Sequence, residues 1–106
     1  MAKFMIKASY TVEGTKGMLK DGGSGRKAAV DKMLGGLGGK LESFYFAFGE
    51  SDVFLIADLP DAVTAAAISF TINASGAVNV STIPLLTVAD VDAACKKSVD
   101  YRAPGK

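Results

Sequence analysis

At 106 residues, 49% of them hydrophobic, the chain has the size of one domain and enough apolar content to bury a core, which argues against disorder. Its 12 basic and 11 acidic residues leave a net charge of +1, with no global field to steer it onto nucleic acid or an anionic membrane. It contains no histidine and one cysteine, Cys95, which argues against histidine-activated nucleophiles, histidine-ligated haem and the usual catalytic zinc sites, and excludes an intrachain disulfide.

Lys3 to Tyr10 sets Phe4, Ile6, Ala8 and Tyr10 against Lys3, Met5, Lys7 and Ser9, the two-residue period of a half-covered strand. The N-terminus lacks the apolar block of a secretory leader, and no apolar run approaches the ~20 residues of a membrane span. A cytoplasmic protein without membrane contacts is the expectation. Thr11 is placed to cap a helical stretch to about Lys20. Asp21-Gly22-Gly23-Ser24-Gly25 interrupts it, and a second stretch runs from Arg26 to Leu37 with Val30, Met33, Leu34 and Leu37 on one stripe. The Gly35-Gly36 and Gly38-Gly39 pairs stop that helix.

A hairpin of two apolar strands follows, turning at Gly49-Glu50-Ser51, with Asp52 opening the second strand. Strict alternation sets Leu41, Ser43, Tyr45 and Ala47 against Glu42, Phe44, Phe46 and Phe48. Aromatic residues fall on both faces, so both faces are expected to be covered. Pro60 and Asp61 begin the next helix, in which Val63, Ala67, Phe70 and Ala74 line one face, and Gly76 ends it. Ala77 to Leu86 returns to strand, with Val78, Val80 and Thr82 alternating against Asn79, Ser81 and Ile83; Pro84 places it at an edge or an exit. Thr87 and Asp90 have the spacing of a capping box for a last helix, where Val88, Val91 and Cys95 share a face and Cys95 reads as a buried small hydrophobe. Lys96 to Lys106 reads as a polar tail of a single domain spanning residues 1–106.

The order β-α-β-β-α-β predicts an α+β, ferredoxin-like fold: a four-stranded antiparallel sheet with both long helices on one face and a short C-terminal helix. Hairpin aromatics on the other face would be wet in a monomer. That predicts a homodimer whose sheets face each other as a dimeric α/β barrel.

No nucleotide motif is present. The Gly22 to Gly25 segment lacks the G-x-G-x-x-G spacing, and Gly35 to Leu41 fails as a phosphate loop because Leu34 stands at the first glycine position and Leu41 replaces the magnesium-binding hydroxyl. Ser43 to Gly49 lacks the basic and glycine positions of an RNA-binding sheet and reads as core and dimer packing. Neither cofactor nor metal is expected.

Several segments together resemble the GYD-domain family of small bacterial and archaeal proteins: Tyr10-Thr11-Val12-Glu13-Gly14-Thr15-Lys16-Gly17, Arg26, Gly38-Gly39-Lys40-Leu41 and Gly49-Glu50-Ser51-Asp52-Val53. Ser51-Asp52 stands where the family's name motif has Tyr-Asp. The resemblance implies a ferredoxin-like dimer and supplies no catalytic set.

Four residues are candidates for binding a ligand between sheet and helices. Arg26 follows a glycine segment whose free N–H groups, with the guanidinium, could hold an anion; the alternative is a solvated or ion-paired arginine. Tyr10 and Tyr45 could donate hydroxyls into a cavity, or simply bury their rings and leave the hydroxyls in water. Asp52 either accepts turn N–H groups or faces a pocket mouth. The expected function is a non-catalytic small-ligand-binding or regulatory module. A cofactor-independent monooxygenase- or isomerase-like enzyme and a structural interaction module are the alternatives.

Overall fold

The computed structural model describes residues 1–106 and contains β1 (Ala2–Tyr10), α1 (Val12–Gly36), β2 (Lys40–Phe46), β3 (Val53–Leu59), α2 (Ala62–Ala74), β4 (Val78–Leu85) and α3 (Val88–Cys95). The strands form one antiparallel sheet in the order β2-β3-β1-β4, the arrangement of a ferredoxin-like α+β fold. Alternation in the two central strands builds the core. Phe4, Ile6 and Ala8 of β1 and Val53, Leu55, Ala57 and Leu59 of β3 are buried beneath the helices together with Leu34, Ala65 and Ile68.

The long first helix is broken rather than interrupted by a loop. Only Gly22 leaves helical geometry (φ 74°, ψ 169°), a left-handed backbone that glycine enters without steric cost. The bend lets Gly23 approach the Phe46 ring, where an added Cβ would lie 3.2 Å from Cε2. Thr11 caps the helix through Gly14 N–H, which donates to its Oγ1, and Gly38 (φ 75°) follows its end.

The pairing of β2 with β3 shifts register between Leu41 and Ser43, leaving Glu42 unpaired in the ladder. The expected alternation is therefore corrected: Leu41 lies opposite Ala57 and joins Phe44 and Phe46 beneath the helices, while Ser43 and Tyr45 stay on the other face. Phe44 and Phe46 meet edge to face with ring centroids 5.1 Å apart.

Helix α2 also turns a different side inward from the one expected. Ala65, Ile68 and the partly buried Ile72 face the core, whereas Val63 and Phe70 are 77% and 73% exposed. Its sequence is apolar almost all round, so period alone could not choose a side. Polar bonds decide it. Ser69 Oγ and Thr82 Oγ1 share a 2.6 Å hydrogen bond, and Asn73 accepts from Val80 N–H (2.7 Å) and donates to Val80 C=O (3.4 Å). Asn73 thereby pairs the open edge of β4 as a neighbouring strand would.

The capping box at Thr87 and Asp90 forms as expected, but α3 buries no residue. Cys95 is exposed, not buried, because the helix it belongs to stands clear of the core. No helix is long and apolar enough to cross a membrane.

Candidate functional site

Helix α1 packs mainly over β2 and α2 mainly over β4, the two edges of the sheet. The space above central β1 and β3 is left between them, and a cavity of about 400 Å³ occupies it. Its floor is Ile6, Ala8, Val53 and Leu55; Val30, Met33, Leu34 and Phe44 form one wall and Ile72, Val78 and Val80 the other. The volume falls in the range typical of small-molecule sites, ~300–1,000 Å³.

Polar groups are few. Ser75 is committed, its Oγ donating to Ile72 C=O at 2.7 Å and accepting from Ala77 N–H at 3.2 Å. Arg26, one turn beyond the Gly22 break, reaches only Asp21, at 3.9 Å. That separation is an ion pair longer than a hydrogen bond, so the guanidinium donors are not hydrogen-bonded within the chain. Tyr10 and Thr71 add hydroxyls to the lining. The combination offers apolar volume and one fixed positive charge.

A second cavity of about 390 Å³ lies at the C-terminal end of β1, between Tyr10, Thr15, Met18 and Gly23 on one side and Phe46, Phe48 and Asp52 on the other. Asp52 is tied into the sheet there. Its Oδ2 accepts from Tyr10 N–H at 2.8 Å, its own N–H donates to Ala8 C=O at 2.7 Å, and its C=O accepts from Ala47 N–H at 2.7 Å. The carboxylate thus carries the β1–β3 ladder one step beyond its last pair.

The four predicted residues do not share one cavity. Tyr10 and Arg26 line the first, Tyr10 and Asp52 the second, and Tyr45 lies in neither. Tyr45 pairs with Phe54 on the helix-free face and is 70% exposed. Thr71 and Ile72 were missed as lining residues because the expected inward face of α2 was the wrong one. Val30 and Met33 were legible on the α1 stripe, but as core and not as cavity wall.

The helix-free face carries its own cluster. Lys3 Nζ donates to Glu42 Oε1 at 2.8 Å and to Asp58 Oδ1 at 3.0 Å. Those two bonds, Glu42 first, raise the ammonium above the ordinary lysine range. The register shift brings Glu42 to this partnership, which no spacing in the sequence announces. Beside the cluster an apolar row crosses the sheet through Ile56, Met5 and Ile83. No group of three or more His, Cys, Asp or Glu side chains is disposed to hold a metal ion.

A family model described as GYD domain matches residues 4–95. Neither a curated protein nor a solved structure matches the chain.

Proposed function

The chain belongs to the GYD domain family, and within it we propose a homodimeric, non-catalytic module that binds a small apolar molecule bearing an anionic group. The observation that carries this reading is the pairing of the apolar sheet-to-helix cavity with Arg26, whose guanidinium makes a 3.9 Å ion pair with Asp21 but no hydrogen bond within its own chain. An apolar ligand body would cover the wet walls, and a carboxylate or similar head would take up the free donors. The carboxylate of Asp52 holds the Tyr10 amide and supports the strand end, so it acts as scaffold in this reading.

The dimer half of the proposal rests on the helix-free face. Phe54, Ile56, Met5, Ile83 and Tyr45 lie there uncovered by any helix, and a second sheet laid on them would close a barrel.

Binding is tested by calorimetric titration with octanoate and, separately, with 1-octanol. Octanoate should bind more tightly, and Arg26→Gln should weaken it at least tenfold while leaving the alcohol unchanged. Val30→Trp, which fills the cavity, should abolish both. Equal affinity of wild type and Arg26→Gln for octanoate would refute the assignment of the anion to Arg26, and binding that survives Val30→Trp would refute the cavity as the site.

A further inference from the structure

From Leu86 to Arg102 every residue is exposed. Within that stretch α3 is properly capped, Thr87 Oγ1 accepting from Asp90 N–H at 3.1 Å and Asp90 Oδ2 from Thr87 N–H at 3.0 Å. Yet it is eight residues long and none of its residues is buried. Isolated helices shorter than ~12–15 residues are marginal in water, so an eight-residue helix needs a surface to rest on. Its stripe is apolar: Val88, Val91 and Cys95 share a face and Val88 is 81% exposed.

The size of the uncovered surface indicates what that covering surface is. The chain exposes 7353 Å², against ~5,600 Å² for a folded monomer of its 10.9 kDa mass. Its radius of gyration is 16.9 Å, whereas a compact chain of this length has ~13 Å. The excess is roughly 1,800 Å² per chain, or ~3,500 Å² over a pair, within the ~2,000–5,000 Å² buried by obligate homodimers. Mutual exchange of one segment between two copies removes such an excess from both at once, with the same contacts made twice.

We propose that residues 86–106 are an exchange arm, whose α3 lays the Val88, Val91 and Cys95 stripe on a second copy of this chain. The inference rests on the dimer reading above and adds to it the segment that locks the pair. Because no residue of α3 belongs to the buried core, a charge placed on its stripe should perturb the pair far more than the protomer fold.

Cys95, the sole thiol, reports on the arm directly. Maleimide labelling of the full-length protein should be at least tenfold slower in the dimer than in full-length Val91→Asp, and Val91→Asp should raise the dimer dissociation constant at least tenfold. Ala93→Asp, on the opposite side of α3, should change neither. A dimer in which Cys95 labels as fast as in Val91→Asp, with the dissociation constant unmoved, would overturn the arm and leave the sheet-faced dimer standing. A protein that is monomeric at every concentration would overturn both.

Discussion

Replacing Gly14 by alanine should destabilise the protein by about 3 kcal/mol, although the same change in an open stretch of helix stabilises it. Gly14 is buried in the first turn of α1. A Cβ there would press into the Ala77 carbonyl oxygen, 3.0 Å from its carbon and 3.1 Å from Tyr10 Cδ1. That oxygen is held in place, accepting from Thr11 N–H at 3.0 Å and from Thr11 Oγ1 at 3.1 Å. Relief therefore requires moving α1 away from the turn that joins α2 to β4, at the expense of those bonds. Overpacking costs about 1–3 kcal/mol and each lost hydrogen bond ~1 kcal/mol, while alanine's helix preference returns at most ~1 kcal/mol. Gly17 is the matched control, since nothing lies within 4 Å of its Cβ position. Gly17→Ala should gain up to ~1 kcal/mol. Urea unfolding followed by circular dichroism, with midpoint and slope fitted for each variant, measures both. A Gly14→Ala protein as stable as the wild type, at unchanged slope, would refute the close approach of α1 to Ala77.

Acid unfolding should depend on Asp61, whose carboxyl is held below its ordinary value of 3.8 mainly by the Thr64 N–H it accepts at 2.8 Å. A depressed carboxyl contributes above its unfolded value and loses that contribution as pH falls through the folded one. The stability advantage of wild type over Asp61→Ala should thus shrink below about pH 3.8 in paired denaturation curves, and a constant difference would contradict the cap. Lys3 has the opposite sign: its value is raised above 10.5, so its contribution is intact below that pH and lost as the solution becomes more alkaline. Wild-type and Lys3→Met melting temperatures should converge above pH 10.5; parallel curves would exclude the Glu42 and Asp58 pairing as the cause. Asn73→Ala should speed hydrogen exchange at the Val80 amide by about tenfold, with the amides of central β1 unchanged, because it uncovers the β4 edge.

The architecture was legible wherever one signal stood alone. Alternation in β1 and β4, the Thr87–Asp90 spacing, and Gly38 and Gly76 as stops (φ 75° and 77°) each carried a single physical reading. It was not legible where two readings were equally apolar. Helix α2 carries Val63 and Phe70 on one side and Ala65 and Ile68 on the other, and only the bonds of Ser69 and Asn73 to β4, set by the tertiary fold, select between them. A register shift is also invisible to period counting: one skipped residue at Glu42 moved Leu41 beneath the helices and supplied a partner for Lys3. For the candidate site, Tyr10 and Arg26 were placed together by the strand-then-helix order, whereas Tyr45 follows the alternation of β2 after the shift and faces away from the helices. Cys95 shares its stripe with valines, and the sequence could not say that the whole stripe would be left unburied.

The measurement that bears most directly on the ligand-binding dimer is a native mass spectrum of the purified full-length protein beside its Val30→Trp variant. Two chains carrying a discrete small-molecule mass, with that added mass lost in Val30→Trp, is the predicted result. A single chain with no added mass at micromolar concentration would contradict the account.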